Sequence, residues 1–596
     1  MKKIHLLFSF LLIFIWVSPV FSQISQGGRP RSFSTQFDSK QAAQVPVIQM
    51  IDVDVDSLRA EDAVIDPLKD RPWRFGENLF VDIDVKSDGQ LIQLPNGDKI
   101  YRISIYSPEA VSINLTFDRY HLPAGADLFV YSSDQAEVLG AFTEQNNQDN
   151  GIFATALVKG DLITIEYFEP ATAAFPGEVH IFRVTHGYRG IKDFTKAFGD
   201  AGSCNVNVAC PQSAGWENEI NSVCMLVSGG AGFCTGSLVN NTANDGTPYV
   251  LTANHCYSDP TSWVFYFNYQ SATCSNPATE PGNNSISGSS LKARNAASDF
   301  MLVQMNSVPP AGYNAYYSGW NRATDATISG TSFGIHHPSA DIKKISWTST
   351  ALTTTTYLQT ANPGDGSHFR VTSWDDGTTT EGGSSGSPLF DSNHRIVGQL
   401  HGGYAACGNT SSDWYGRFSV SWTGGGTSAT RLSDWLDPMG TAPTTLDGYN
   451  PNTPAYALDA QVSAIQAPSG SSCGTTSVTP TVTLRNAGST TLTSATVYYK
   501  IDGGAPVSQT WSGSLATNAT TTITFPATTS TYGAHTIKSW SALPNGGTDA
   551  NIANDTASGA FTLSNGTYTV PFVELFNSGV PPVCWTSYAG TNGLGT

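Results

Sequence analysis

A short loop rich in glycine and serine, residues 380–389, is the most constraining feature of this sequence. Its centre reads Gly-Gly-Ser-Ser-Gly-Ser, and a run of small residues, 398–403, follows it along the chain. Glycines permit the tight, partly left-handed turn that points several backbone N–H groups at one place. Such donors can hold the oxyanion that forms when a serine attacks a carbonyl group. Because Gly/Ser loops are common in this chain, the loop indicates a nucleophile at Ser385 only if a histidine and an aspartate accompany it.

Both partners lie upstream of the loop. His255 stands in Thr-Ala-Asn-His-Cys, directly after an apolar strand, and Asp299 precedes another apolar run. An aspartate in that place alone more often caps the edge of a strand. The order His255, Asp299, Ser385 is the order of chymotrypsin-like enzymes and differs from that of subtilisin-like enzymes and α/β-hydrolases. The sequence therefore predicts a triad in which the histidine is the base and the aspartate orients it, with the N–H groups of Gly383 and Ser385 as the oxyanion hole.

The N-terminus and the composition indicate an exported protein. Two lysines precede an apolar run, 4–17, and smaller residues lead to Ser22, so we expect a signal peptide over 1–22, removed before Gln23. The alternative is a membrane anchor, but the run is short for a full span and no stop-transfer pattern follows. The net charge of −18 argues against general nucleic-acid binding. With only 13% of residues charged, that acidity indicates solubility rather than an acidic binding surface.

The cysteines cluster in one part of the chain. Seven of the nine lie between residues 204 and 407, whereas Cys473 and Cys584 occur singly in later segments. In an exported chain this pattern predicts one disulfide-stapled domain. An odd count leaves at least one free thiol, and Cys224, in the apolar run 223–227, is the expected buried one.

Alternating apolar runs and composition changes predict an all-β chain with several domains. We expect a β-rich propeptide over 23–196, a double antiparallel β-barrel protease domain of chymotrypsin-like fold over 197–450, and a linker over 451–455. One helix is predicted at 428–436, before a proline. Residues 456–565 predict an immunoglobulin-like β-sandwich that resembles the CARDB adhesion modules of bacterial surface proteins. Residues 566–596 read as the start of a further β module, which predicts that the sequence is truncated.

The protease segment resembles the bacterial lysyl endopeptidases, which are secreted trypsin-fold proteases that cleave after lysine. The likeness rests on the runs 202–211, 234–245, 335–338, 398–403 and 421–438. It implies the disulfides Cys204–Cys407, Cys210–Cys274 and Cys234–Cys256. It also implies that Asp413, otherwise a solvated loop acid, lies at the base of the pocket for the substrate lysine. His401, Gly402 and Gly403 would then lie along the substrate backbone.

One departure from that family concerns a tryptophan that packs beside its catalytic site. The corresponding stretch, 353–359, has none, so either Tyr357 replaces it or Trp374 fills the place. His336 and His337 could suggest a metal site, but no third ligand has suitable spacing, and a structural loop is the favoured interpretation. No metal and no cofactor is expected.

Lysine usage supports the same specificity. Residues 197–450 contain three lysines against six arginines, and Lys196 stands just before the protease domain, so we expect self-cleavage after Lys196. The sequence thus predicts a secreted serine endopeptidase that cleaves Lys–X bonds in proteins and peptides. It predicts no nucleic-acid partner and no membrane span, and a C-terminal module that binds a cell surface or another protein. Two alternatives remain: a trypsin-like protease that accepts Arg as well as Lys, and a surface adhesin with an inactive protease domain.

Overall fold

The computed structural model describes residues 25–33, 45–189, 201–282, 284–325, 327–452, 456–517, 519–552 and 554–565. Ser22, Lys196 and the segment 566–596 lie outside these ranges. The chain divides into two compact units, one ending at Asn450 and one beginning at Pro451. Within the described part, none of the helices has both the length and the apolar character needed to cross a membrane.

Two sheets packed around one apolar core form the N-terminal part of the first unit. The long strands are buried along most of their length because each sheet has a second layer against it. The helix Val55–Ile65 was not predicted; Asp54 caps it by accepting a hydrogen bond from the Ser57 N–H at 3.0 Å. The strands of one sheet are Val47–Gln49, Gln90–Gln93, Lys99–Tyr106, Asp127–Ser132, Val138–Phe142 and Leu162–Glu169. Those of the other are Gly76–Asp84, Ser112–His121, Phe153–Ala154, Val158–Lys159 and Glu178–Gly187.

The rest of the first unit consists of two further, largely antiparallel sheets, which curl around separate apolar cores as two half-barrels. The first contains Val223–Ser228, Gly232–Leu238, Tyr249–Ala253, Val264–Phe267, Asn284–Ser287, Ser289–Asn295 and Phe300–Met305. The second contains Val206–Asn207, Gly319–Asn321, Thr327–Ile328, Ser332–His336, Lys344–Thr348, Leu352–Thr355, His368–Val371, Pro388–Phe390, Arg395–Gly403, Asp413–Arg417 and Thr445–Leu446. Short helices are Glu217–Ser222, Phe418–Thr423 and Ser433–Leu436. The chymotrypsin-like double-barrel prediction is confirmed.

The predicted helix at 428–436 is mostly wrong, because only its last turn, Ser433–Leu436, is helical. The preceding residues form a turn in which the Thr430 N–H donates to the Thr427 carbonyl at 2.9 Å and the two threonine hydroxyls lie 2.8 Å apart. The Leu432 N–H then donates to the Ser421 carbonyl instead of to a helical partner. Local side-chain hydrogen bonds of this kind compete with helix formation.

Disulfides connect distant parts of this unit. They join Cys204 to Cys407, Cys210 to Cys274, and Cys234 to Cys256. Cys224 is free and fully buried, and burial raises the pKa of its thiol to about 12, so it packs as a small apolar side chain. In the second unit Cys473 is also disulfide-bonded.

The N-terminal part is joined to the first half-barrel by strand pairing and by a shared core. The strand Trp73–Arg74 pairs antiparallel with the strand Gly232–Leu238, with Trp73 opposite Phe233. The rings of Phe75 and Phe233 stack with centroids 4.3 Å apart. Trp73 also lies against Gly382, where an added Cβ would come within 2.6 Å of the indole. The segment that precedes Trp73 is therefore held beside the Gly/Ser loop.

The second unit is a β-sandwich with its own apolar core. One sheet contains Ala460–Ala467, Thr481–Asn486 and Thr520–Thr524, and the other contains Gly470–Cys473, Leu492–Ile501, Val507–Leu515, Gly533–Ala542 and Thr556–Ser564. A small pair, Ser477–Val478 with Thr528–Thr529, completes it. Alternating burial along Leu492–Ile501 and Gly533–Ala542 is the pattern of strands with one face on the core.

Candidate active site

The predicted histidine and aspartate are in direct contact. His255 lies in the turn that follows the strand Tyr249–Ala253, and Asp299 lies just before the paired strand Phe300–Met305. The carboxylate of Asp299 accepts from His255 twice: one oxygen is 2.7 Å from Nδ1 and the other is 2.9 Å from the backbone N–H. Asp299 is 2% exposed, so this interaction is shielded from water. The contact fixes the ring orientation and leaves Nε2 for proton transfer.

The Gly/Ser loop is held from both half-barrels. The Ser385 carbonyl accepts from the Thr235 N–H at 2.8 Å, and the Gly386 N–H donates to the Leu400 carbonyl at 2.8 Å. Gly383 has φ +88°, a conformation that favours glycine, and Thr235 Oγ1 donates to its carbonyl at 2.9 Å. Ser385 is thereby presented at the junction of the half-barrels, where His255 also lies.

Asp413 lies at the start of the strand Asp413–Arg417, opposite Gly403 on the neighbouring strand. It is fully buried, and one of its oxygens accepts from Trp374 Nε1 at 2.8 Å and from Thr380 Oγ1 at 2.7 Å. A Cβ at position 403 would come within 2.3 Å of the other oxygen, so glycine there keeps that oxygen accessible. The result is a buried anion with one oxygen facing a narrow pocket.

That pocket is filled by Lys69, a side chain from the N-terminal part. Its Nζ donates to the Thr380 carbonyl at 2.7 Å and to the Ala405 carbonyl, and it lies 3.4 Å from Asp413 Oδ1. Lys69 is 6% exposed. Four acceptor atoms surround the ammonium group, because the Thr380 hydroxyl also lies 3.2 Å away, and one of the four is charged. A buried charge requires such an arrangement.

The backbone of Lys69 reaches the serine. Ser385 Oγ donates to the Lys69 carbonyl oxygen at 3.5 Å, and His255 Nε2 is buried without a hydrogen-bond partner in the described part of the chain. A Cβ on Gly402 would lie 2.9 Å from the same carbonyl oxygen. Gly402 and Gly403 therefore line the space that Lys69 occupies.

His401 lies between the pair His255 and Asp299 on one side and the ring of Tyr357 on the other. Its ring stacks on Tyr357 with centroids 3.5 Å apart. Its Nδ1 shares a 2.9 Å hydrogen bond with His368 Nε2, and its Nε2 is 3.7 Å from Asp299. Burial, together with the neighbouring His255, lowers the pKa of His401 to about 4. His401 is therefore neutral and does not compete with His255 for a proton.

His336 and His337 have structural partners. His336 Nδ1 lies 2.8 Å from the Ser384 hydroxyl and its Nε2 lies 3.1 Å from the Ser346 hydroxyl, so it supports the residue next to Ser385. His337 Nδ1 is 2.9 Å from the Asp341 carbonyl. Burial lowers the pKa of His336 to about 3 and that of His337 well below its usual value. His336 ends the strand Ser332–His336 and His337 begins the turn after it, so both histidines have partners within the protein.

Sequence reasoning missed four participants: Lys69, Trp374 as a partner of Asp413, Thr380, and His368. Thr380 stands within the conspicuous loop and could have been found there, whereas the others are distant in sequence and carry no local motif. Ligand atoms of His255, Asp299 and His401 lie within 4.8 Å of one another, which is close enough for a metal ion. His255 and Asp299 pair with each other, and His401 shares a hydrogen bond with His368, so each of the three already has a partner within the protein.

Comparisons with known proteins find similarity to proteases and to a CARDB domain. Residues 198–416 match the family model "Lysyl endopeptidase, C-terminal domain". A lysyl endopeptidase of Pseudomonas aeruginosa is 28% identical over 362 residues, which cover 55% of this chain and 74% of that protein. The secreted serine protease VesC from Vibrio cholerae is 15% identical with a TM-score of 0.25, covering 58% of this chain and 69% of its own. The CARDB domain of PF1109 from Pyrococcus furiosus, solved in complex with di-metal ions, is 21% identical with a TM-score of 0.15, covering 18% and 91%.

Fold, site and relatives together define a serine endopeptidase. Within that class, the chain resembles the lysyl endopeptidases.

Proposed function

We propose that this protein is a secreted endopeptidase that hydrolyses peptide bonds on the carboxyl side of lysine. Ser385 Oγ attacks the carbonyl carbon while His255 Nε2 takes its proton, and Asp299 holds the imidazole and stabilises the imidazolium. The N–H groups of Gly383 and Ser385 stabilise the oxyanion. His255 then protonates the leaving amine, and water activated by the same histidine hydrolyses the acyl-enzyme.

The observation that carries the lysine preference is the position of Lys69. Its ammonium group contacts Asp413 directly and the Thr380 and Ala405 carbonyls, so the pocket accommodates an extended lysine side chain to its tip. Trp374 and Thr380 already donate hydrogen bonds to the other Asp413 oxygen. A guanidinium group is longer and planar, and it prefers to bind both oxygens of a carboxylate. We therefore expect lysine to be preferred over arginine.

The proposal extends to the rest of the chain. The disulfides fit an oxidising, extracellular environment. Proteins and peptides are the substrates, the segment 23–196 acts as a propeptide, and cleavage after Lys196 separates it from the protease domain. The C-terminal sandwich serves in attachment to a cell surface or to another protein.

A matched peptide panel tests the specificity. Peptides that differ only in Lys, Arg, ornithine or norleucine before one amide bond are digested, and kcat/KM is measured for each. We expect Lys to exceed Arg by at least about 10-fold and norleucine by about 10³-fold, as for a site built to pair a polar group. Equal rates for Lys and Arg would favour the trypsin-like alternative. Ser385→Ala serves as the inactive control, and absence of fluorophosphonate labelling at Ser385 in the processed wild-type enzyme would exclude the enzyme mechanism itself.

A further inference from the structure

Lys69 binds like a substrate through its side chain but not through its backbone. Its φ of +50° and ψ of 29° are left-handed, and its N–H donates to the Asp66 carbonyl at 3.4 Å within a tight turn. A peptide substrate of such an enzyme lies extended, as a strand added beside the pocket wall. Here the lysine enters the pocket from a turn instead.

The reacting groups are correspondingly misaligned. Ser385 Oγ is hydrogen-bonded to the carbonyl oxygen of Lys69, and no described residue accepts or donates at His255 Nε2. Nucleophilic attack requires the hydroxyl to pass its proton to the histidine and approach the carbonyl carbon. The hydrogen bond from Ser385 Oγ to the Lys69 carbonyl oxygen directs the hydroxyl proton away from His255. It also holds the hydroxyl at the oxygen and not at the carbonyl carbon.

Anchors on both sides keep the turn in this conformation. Arg189 binds both oxygens of Asp66, at 2.7 and 3.1 Å, and its guanidinium lies 4.0 Å from the Trp73 ring. Trp73 is in turn paired with Phe233 in the first half-barrel. Fixing both ends of a short segment prevents it from extending along the cleft, and it lowers the entropic cost of binding.

We propose that residues 66–73, which we name the blocking segment, are a built-in inhibitor that fills the lysine pocket and resists cleavage of the Lys69–Asp70 bond. This inference rests on the proposed function. It assigns the N-terminal part a partner, namely the active-site cleft of its own chain. Because strand pairing and a shared core also hold that part, it remains bound after a cut elsewhere in the chain and blocks the enzyme until it is removed.

The test uses the full-length precursor and a fluorophosphonate probe, with the label quantified only on the full-length band. We expect Lys69→Gln to label at Ser385 at least about 10-fold faster than the wild type, because a neutral side chain loses the pairing with Asp413. Lys159→Gln, at an exposed lysine in the same part of the chain, is the matched control and should label like the wild type. Mass spectrometry of the wild type should show no new N-terminus at Asp70.

The results distinguish a failure of the blocking segment from a failure of the proposed function. Equal labelling of wild type and Lys69→Gln, or rapid cleavage after Lys69 in the folded precursor, would overturn the blocking segment and leave the protease assignment intact. If Ser385 is unreactive in every variant and also in processed protein, the proposed function itself fails.

A second, independent inference concerns three carboxylates of the C-terminal sandwich. Asp459 precedes the strand Ala460–Ala467, Asp555 precedes Thr556–Ser564, and Asp549 lies in the loop before Asp555. One oxygen of each lies within 4.8 Å of the others, and the three residues are 3%, 7% and 7% exposed, in the order Asp459, Asp549, Asp555. Hydrogen bonds to Asp549 come from the N–H groups of Ala460 and Asn551, at 2.8 and 3.0 Å.

Part of this cluster lacks any partner. The Oδ1 atoms of Asp459 and Asp555 are buried and make no hydrogen bond. The Oδ1 atom of the adjacent Asn554 is also buried and makes none. Within the described residues no lysine or arginine lies within ion-pair distance of the three carboxylates, and Arg485 acts on Asp459 only through its more distant charge. Converging buried anions with free oxygens require a cation or a proton between them.

We infer that Asp459, Asp549 and Asp555 bind a divalent cation, with Ca²⁺ as the ion. Carboxylate and amide oxygens are the ligands that Ca²⁺ selects, and an extracellular module meets it at high concentration. Bound at the start of two strands, the ion would link the loop 549–555 to the sandwich and stabilise it.

The test uses full-length Ser385→Ala protein, stripped with EGTA and titrated with CaCl₂ or MgCl₂ in a calorimeter. We expect Ca²⁺ binding and a rise in the melting temperature of the C-terminal unit, both lost in Asp549→Asn and Asp555→Asn. Asp502→Asn, at an exposed acid that binds His535 and Thr536 and does not touch the cluster, removes the same charge and should keep both effects of Ca²⁺. No heat and no shift with either ion, or binding that persists in both variants, would overturn the site; a shared proton then accounts for the cluster.

Discussion

Two buried acidic sites in this chain contrast sharply. Asp413 in the protease has Trp374 and Thr380 on one oxygen and the ammonium group of Lys69 beside the other. Asp459 and Asp555 in the C-terminal sandwich each retain an oxygen with no hydrogen bond, and no described lysine or arginine pairs with them. A buried carboxylate is stable only if its charge is compensated. The first site receives its cation from the chain itself, and the second requires one from solution.

The largest effect should follow from removing the charge at the base of the pocket. Asp413→Asn leaves the ammonium of a bound substrate lysine buried without its counter-charge, which costs about 3–5 kcal/mol. We expect kcat/KM for lysyl substrates to fall roughly 10²- to 10⁴-fold, with little change for norleucine substrates. Asp376→Asn, at an exposed acid of the same domain, is the control. A loss of less than about fivefold would show that the pocket does not depend on this charge.

A smaller effect should follow from removing one hydrogen bond to the same carboxylate. Trp374→Phe keeps an aromatic ring but loses the 2.8 Å hydrogen bond to Asp413. Hydrogen bonds to buried charged groups contribute about 1.5–3 kcal/mol, so we expect kcat/KM for lysine to fall about 10- to 100-fold. Trp435→Phe is the matched control, because its indole donates only to the Ser428 carbonyl away from the pocket. An unchanged Lys-to-norleucine ratio in Trp374→Phe would contradict this role.

A fall in pH should lower the stability of the protease domain, because two of its histidines are buried. Burial lowers the pKa of His368 and of His401 to about 4, below the usual value of about 6.5. The unfolded chain therefore binds protons first, so stability is lost as the pH falls from about 6.5 towards 4, by at most about 3 kcal/mol for each residue. Urea unfolding of Ser385→Ala protein at pH 7 and pH 4.5 measures this loss. His368→Gln should reduce the difference and the exposed His121→Gln should not; equal stability at both pH values would refute the assignment.

Local motifs in the sequence predict the triad residues, and the structure brings two of them into contact. His255, Asp299 and Ser385 each stand in a recognisable context, and the fold brings the first two within hydrogen-bond distance. Lys69 could not be predicted, because it is one of several lysines in its segment, and only strand pairing through Trp73 brings it to the pocket. Long-range pairing also hides the acidic cluster: Asp459 and Asp549 are far apart in sequence, and no motif links them until the strands assemble.

The smallest predicted effect concerns the acidic cluster of the C-terminal sandwich. The informative result is the direction of the change in stability. In calcium-free buffer, Asp555→Asn removes one of three mutually repelling buried carboxylates, so the C-terminal unit should become more stable. A gain of about 0.5 kcal/mol corresponds to a rise of roughly 2–4 °C in the melting temperature of a unit of this size. Most substitutions of buried residues do the opposite. Differential scanning calorimetry of Ser385→Ala protein in EGTA, with Asp502→Asn for comparison, measures the shift. A lower melting temperature would mean that Asp555 is already compensated, which removes the contrast with Asp413.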